Sequence, residues 1–265
     1  MVNSYLESAL IAAFKAGEAI MEVYHSYGMK VDYKEDDSPV TIADKNASGI
    51  IVNELSRFGI PIISEEEEIA DYDVRRGWAS CWMVDPLDGT KEFIRREKDF
   101  TVNIALIRQK EPVLGIIYAP VTRKMYFGGV GLGAFRMDVE KMSDLKRWQD
   151  ATRLPDFNSG RKYGIVGSKS HMNSETEEAI EAIYRERGRD NCEKIIVGSS
   201  LKFCIMAEGK ASLYPRYSNI MEWDIAAGHA IAVASGCEMT EMDGTTPVLY
   251  NKRDLHAPFF IVKRK

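Results

Sequence analysis

Residues 82 to 93 read WMVDPLDGTKEF, with two aspartates three positions apart, one before a proline and one before a glycine, directly after an apolar run. Pro86 stiffens the chain between Asp85 and Leu87, so Asp85, the Leu87 carbonyl and Asp88 can aim oxygens at one point. That is half of a site for a hard cation. Gly89 lets the backbone approach a ligand closely, and Thr90 with KEFIRR begins a helix whose free N–H groups and positive dipole end favour an anion. Metal and phosphate can meet at this turn. A site for Mg²⁺ wants oxygen ligands in octahedral geometry and usually keeps several waters, so carboxylates at strand ends suit it where His or Cys would not. Glu65, the first acid after IPIIS, and Asp224, in the opening turn of WDIAAG, are the obvious further ligands. Each position also has an ordinary reading: EEEE as a solvated acidic turn, and Asp224 as a helix N-cap.

Hydrophobic periodicity predicts the elements that position these residues. Leu6, Leu10, Ala13, Gly17, Ile20, Met21 and Tyr24 recur at helical spacing, with Ser4 and Glu7 as a capping box and Gly28 as the stop. Residues 29 to 34 alternate like a short strand, and ADKNASGIIVNELSRFG predicts a second helix with Ala43, Ala47, Ile50, Ile51 and Leu55 on one face. IPIIS and CWMV read as short buried strands that both end in carboxylates. TVNIALI, PVLGIIYAP, MYFGGV and AFRM, joined by short turns, read as an antiparallel meander. Residues 138 to 162 are polar and irregular, which places the boundary between an N-terminal half, 1 to 140, and a C-terminal half, 160 to 265. In the second half YGIVG, KIIVG, ASLYP and FFIVK alternate with three helical patterns, an α/β arrangement of layered strands and helices. GGVGLGAF at 128 to 135 reads as a hairpin turn and not a dinucleotide loop, because a strand rather than a helix follows the glycines.

Composition narrows the function classes. The 265 residues are 45% hydrophobic, as in globular proteins, and the formal charge of -5 leaves no broad basic surface for a nucleic-acid polymer. Glu7, Lys15 and Glu18 interrupt any signal-peptide core, and no stretch reaches the ~18 apolar residues of a membrane span. Cys81, Cys192, Cys204 and Cys237 have neither CxxC nor zinc-finger spacing, which fits reduced thiols in a cytoplasm.

VDPLDGTKEF, with ISEE and SPVTIAD upstream and EWDIAAGHAIAVASG downstream, resembles the lithium-sensitive, magnesium-dependent phosphomonoesterase superfamily of inositol monophosphatases and fructose bisphosphatases. Four motifs in the family's order span nearly the whole chain. The resemblance implies a layered αβαβα sandwich and metal ligands at Glu65, Asp85, the Leu87 carbonyl, Asp88 and Asp224. It also implies phosphate contacts from Gly89 and Thr90, and a water-activating pair at Asp44 and Thr90. Asp44 also suits a helix-capping acid paired with Thr41. Phosphate monoesters hydrolyse extremely slowly without catalysis, and two or three Mg²⁺ ions would supply a nucleophile and neutralise the leaving oxygen.

Within the superfamily, DPLDGTKEFI, FTVNIALI, GIIYAPV, GSSLKFC and AEGKASLYPR resemble the bacterial 3'(2'),5'-bisphosphate nucleotidases. That branch implies hydrolysis of adenosine 3',5'-bisphosphate to AMP, possible action on its sulfated relative, and a role in recycling the by-product of sulfate activation. It places a subsite for the second phosphate at His171, Ser199, Lys202 and Arg216, with Ser168 as a further hydroxyl; charged donors there suit a phosphate. His171 also suits a surface or core position, and Lys202 a snorkelling stem. YSNIMEW, between Arg216 and Asp224, lacks the Gly-Pro-Thr often present in the branch, which leaves base preference open. An inositol or sugar monophosphatase is the alternative enzyme, and an inactive nucleotide-binding regulatory scaffold the alternative of another class.

Overall fold

The computed structural model describes residues 2–25, 31–33, 39–156, 162–170 and 172–265. Helix α1 (Val2–His25) starts ahead of the predicted Ser4 cap, so Ser4 lies inside the helix and its carbonyl accepts a bond from Ser8 Oγ at 2.8 Å. Gly28 lies outside the described residues. Strands β1 (Val31–Tyr33) and β2 (Pro39–Thr41) pair antiparallel and lead into α2 (Ile42–Leu55). That helix buries Ala43, Ala47, Ile51 and Leu55, as its periodicity predicts, and stops at Gly59 after one tighter turn.

Next come β3 (Ile62–Ser64), the short helix α3 (Tyr72–Arg75), β4 (Ser80–Asp88), α4 (Thr90–Ile94) and the meander β5 (Thr101–Arg108), β6 (Glu111–Ala119), β7 (Lys124–Gly129) and β8 (Gly133–Asp138). Glycines 129 and 133 face each other across the β7–β8 turn, so GGVGLGAF is a hairpin. The polar stretch after β8 contains a strand that sequence reasoning missed, β9 (Thr152–Leu154), which pairs with β8 at the sheet edge. Strands β3 to β9 form one seven-stranded sheet in chain order, antiparallel except for β3 beside β4.

The remaining elements are β10 (Tyr163–Ser168), α5 (Ser174–Arg187), β11 (Cys192–Val197), α6 (Leu201–Glu208), β12 (Leu213–Arg216), α7 (Glu222–Ala234), β13 (Cys237–Glu241) and β14 (Phe260–Arg264). Their five strands are ordered β11-β10-β12-β14-β13, with β13 another strand that the sequence pattern did not reveal.

Alternating side chains sort into separate cores, as a two-residue period requires when both faces of a sheet are covered. Trp82 and Val84 of β4 join α1 and α2 in one core, whereas Cys81 and Met83 join α6 and α7 in another. In the second sheet, Val166 and Phe260 face α6 and α7, while Ile165 packs with Ile180 of α5. The order of layers is therefore helices, seven-stranded sheet, helices, five-stranded sheet, helix: an αβαβα sandwich. Among the described residues no helix is long and apolar enough to cross a membrane, and all four cysteines are buried and free.

Helix α7 is the central slab, and it lies unusually close to its neighbours. A Cβ at Gly115 of β6 would sit 2.2 Å from the Ala227 carbonyl oxygen, and one at Gly228 would sit 2.2 Å from the Phe203 ring. Backbone cannot swing aside as a side chain can, so Gly115→Ala should lower stability by about 1–3 kcal/mol, read as a lower urea midpoint. An unchanged midpoint would mean that α7 is free to shift.

Candidate active site

A regular strand sends residues three apart to opposite faces, so Asp85 and Asp88 should diverge. The pairing of β4 with β5 resolves this. Asp85 is opposite Asn103 and Asp88 is opposite Thr101, so β4 carries one extra residue over this interval. Such a bulge re-aims side chains, and Pro86, which has no N–H to offer the ladder, is one of the bulged residues. Asp85 Oδ1 accepts the Leu87 N–H at 3.1 Å, and Thr90 Oγ1 donates to the Leu87 carbonyl at 3.2 Å. Gly89 then turns the chain with φ +93°, and a Cβ there would meet the Asp99 carbonyl oxygen at 2.8 Å. Both observations require glycine.

Other elements deliver further acids to the same place. Because β3 runs parallel to β4 with Ser64 beside Val84, Glu65 emerges next to Asp85. Asp224 is the third residue of α7 rather than its N-cap, and its Oδ2 accepts the Met221 N–H at 2.8 Å. One carboxylate oxygen each from Glu65, Asp85 and Asp224 lie within 4.8 Å of one another. Asp44, Leu87, Asp88, Gly89, Thr90, Ser168, Ser199, Lys202 and Arg216 line the same cleft of about 360 Å³. Of the site residues singled out from sequence, only His171 lies outside the described residues.

The electrostatics of the cluster call for a cation. Burial, followed by the charges of Asp88, Glu65, Asp224 and Asp44, raises the Asp85 carboxyl well above its ordinary range. Burial and the charges of Asp88 and Glu65 also raise Asp224, against the pull of the Met221 N–H. A buried group of like charges ionises together only when a positive charge joins it. The all-oxygen donor set of this cluster fits a hard divalent ion.

Across the cleft, Lys202 in the first turn of α6 is buried and donates to the Ser199 carbonyl. It does not snorkel to bulk water. Burial lowers its ammonium to about 8, with Asp88 opposing the shift and Arg216 adding to it. Ser199 holds a left-handed backbone with φ +44°, a conformation uncommon outside glycine and one that clusters at functional sites. Arg216, at the end of β12, is only 5% exposed, yet its Nε and Nη1 meet no hydrogen-bond partner among the described residues. Buried donors left in that state are costly unless a ligand satisfies them.

Sequence reasoning missed the polar tie between the seven-stranded sheet and the helices α6 and α7. Thr101 Oγ1 donates to Asn103 Oδ1 at 3.0 Å, Asn103 Nδ2 donates to Ser200 Oγ at 2.9 Å, and Ser200 Oγ donates to the Asp224 carbonyl at 2.9 Å. Asn103 Nδ2 also lies 3.4 Å from Asp88 Oδ2. A lone Asn within the apolar strand TVNIALI was the available signal, because a buried amide demands partners. Glu92, buried and bonded by Ser170 Oγ, and His256 also line the cleft without having been singled out.

Acids whose folded pKa is raised contribute stability at low pH that is lost as pH rises through that raised value. The metal-free protein should therefore lose stability on going from mildly acidic to neutral pH, and Mg²⁺ should restore it. At 100 times Kd the gain is about 2.7 kcal/mol, visible as a rise in Tm. Asp85→Asn should remove the Mg²⁺ response and Asn103→Ala should weaken it; a wild-type Tm indifferent to Mg²⁺ would rule out the cluster as a metal site.

Comparison with known proteins agrees with the architecture. Residues 2–261 match the model of the inositol monophosphatase family. The 3'(2'),5'-bisphosphate nucleotidase CysQ of Salmonella typhimurium is 42% identical, with 91% of this chain and 92% of that protein covered. The protein of the same name from Escherichia coli K12 is 38% identical, covering 94% and 95%. The crystal structure of CysQ from Bacteroides thetaiotaomicron, a bacterial member of the inositol monophosphatase family, superposes with a TM-score of 0.87 at 44% identity, covering 97% of this chain and 96% of that one. With its αβαβα layers and clustered carboxylates, the chain belongs to the inositol monophosphatase family.

Proposed function

We propose that this protein is a Mg²⁺-dependent phosphomonoesterase that removes the 3'-phosphate of adenosine 3',5'-bisphosphate, giving AMP and phosphate. One observation carries the reading: a single cleft pairs the carboxylate cluster with a buried, partly unpartnered Arg216 beside Lys202. A substrate with one phosphate has use for the first feature only, whereas a bisphosphate has use for both. The relatives named above bear the matching activity in their names.

In this reading Glu65, Asp85, the Leu87 carbonyl, Asp88 and Asp224 hold two or three ions. The chemistry supplied by bound Mg²⁺ is Lewis acidity, which neutralises phosphoryl oxygens and makes a water acidic enough to lose a proton near neutral pH. Asp44 and Thr90 would orient the attacking water and help take its proton, and the N–H groups at Gly89 and Thr90 would hold the phosphate. Ser199, Lys202, Arg216 and His171 receive the second phosphate, where charge-assisted bonds are strongest. The N-terminal half, 1 to 140, thus carries most of the chemistry, and the C-terminal half, 160 to 265, completes the cluster and selects the substrate. The setting that fits is the cytoplasm, with Li⁺ as an inhibitor.

The test is phosphate release from adenosine 3',5'-bisphosphate and from inositol 1-phosphate, side by side at millimolar Mg²⁺, with and without Li⁺. The nucleotide should be strongly preferred; preference for inositol phosphate would discard the second subsite, and no release from either would leave a binding scaffold. Because Lys202 is charged only below about 8, kcat/KM for the bisphosphate should fall as pH rises through that value. Inositol 1-phosphate should not follow the same profile. Arg216→Ala should reduce kcat/KM for the bisphosphate by about 100-fold while affecting inositol 1-phosphate by only a few-fold.

A further inference from the structure

His256 lies 32 residues beyond Asp224 in KRDLHAP, outside every motif that signals the reaction, yet it lines the catalytic cleft beside Asn219, Ile220 and Met221. Its segment is strapped to the turn that precedes α7. Met221 and His256 form an antiparallel bridge, the Glu222 N–H donates to the Leu255 carbonyl at 2.8 Å, and the Ala257 N–H donates to the Ile220 carbonyl at 2.8 Å. A bridge brings the two Cα atoms to about 5 Å. Since the Met221 N–H is bonded to the Asp224 carboxylate, His256 stands at the acidic end of the cleft.

The strap is itself anchored in the interior. Glu222, fully buried, accepts the Asn251 N–H and the Lys252 ammonium, and Asn251 Oδ1 accepts from buried Arg75 at 2.8 Å. Arg75 donates further to the carbonyls of Lys252 and Arg253. A half-exposed histidine on a free loop would wander, but this backbone is fixed from below.

The ring is also oriented. Asp254 Oδ1 accepts the His256 N–H at 3.0 Å and lies 2.7 Å from His256 Nδ1. These bonds hold the Asp254 carboxyl below its ordinary range. A carboxylate only accepts, so Nδ1 carries the proton, and in the neutral form of the ring the lone pair is at Nε2. The partner for that lone pair must be a donor. On a phosphorylated sugar, the donors nearest the scissile ester are the hydroxyls, above all the one on the adjacent carbon.

We propose that His256, held by Asp254, is a specificity-determining residue whose Nε2 accepts a hydrogen bond from the hydroxyl adjacent to the phosphate being removed. The assignment rests on the bisphosphonucleotide reading given above. For a nucleoside 3'-phosphate that hydroxyl is the ribose 2'-OH, so the enzyme distinguishes ribose from deoxyribose through a side chain apart from both phosphate subsites. Such readout is effective, because an analogue lacking the hydroxyl leaves the acceptor unpaired.

The experiment compares kcat/KM for adenosine 3',5'-bisphosphate and its 2'-deoxy analogue in wild type, His256→Ala, His256→Gln and Asp254→Asn, each first checked for an unchanged melting temperature. Wild type should favour the ribose substrate about tenfold. In His256→Ala the ribose substrate should lose about tenfold and the deoxy analogue about twofold, so that the preference nearly disappears. His256→Gln, which retains an acceptor, should recover part of the preference, and Asp254→Asn should reduce it with the histidine still present. A wild type without preference, or a His256→Ala variant that slows both substrates equally, would overturn the assignment. Failure of the wild type to release phosphate from either nucleotide would instead remove the reading on which it rests.

Discussion

Mutual repulsion among carboxylates is the constraint around which this molecule is arranged. Asp85, Glu65 and Asp224 bring oxygens within 4.8 Å of one another, with Asp88 and Asp44 on the same cleft. No local segment would adopt that arrangement unaided. The five acids are therefore delivered by four rigid elements: the end of β3, the bulged β4, which brings two of them, the start of α2 and the first turn of α7. The seven-stranded sheet fixes two of these elements, α7 reaches it because Gly115 has no side chain to hold the helix away, and Gly228 lets Phe203 of α6 pack closely against the same helix. The tight packing of the central layer and the strain of the cluster are two aspects of one design.

The seven-stranded sheet meets α6 and α7 through polar contacts as well as through apolar packing. Asn103 of β5 bonds Ser200 at the start of α6, and Ser200 bonds the backbone of Asp224. The next residue back, Ser199, holds a left-handed backbone and receives the Lys202 ammonium. Short, buried bonds thus join the backbone of the acidic cluster to the turn that precedes Lys202.

Much of this was legible in the sequence. Elements with strong periodicity, such as α2, the meander and α7, lie where their apolar residues predict, and the DPLDGT turn announced its chemistry through residue types alone. What escaped detection shares a physical cause. Strands β9 and β13 are short and half polar, because an edge of a sheet needs little apolar surface. The capping box assigned to Ser4 was overridden when the helix began earlier. Asn103 and Ser200 bond partners about 97 and 24 residues away, and His256 reaches the cleft through a bridge to Met221; spacing in one dimension reveals nothing about pairs that only folding creates. The bulge at Pro86 lies between these cases: two aspartates three apart were visible, but the extra residue that turns them to one side emerges only from the pairing of β4 with β5.

The strap between residues 220–222 and 255–257 has a consequence for how such a scaffold diversifies. Because backbone bonds run both ways across it, the turn before α7 and the segment before β14 form one mechanical piece, although 32 positions separate Asp224 from His256. An insertion or deletion in one segment then requires a matching change in the other, because it would shift carbonyls and N–H groups out of line with their partners, whereas side chains that line the cleft from this strap can change one at a time.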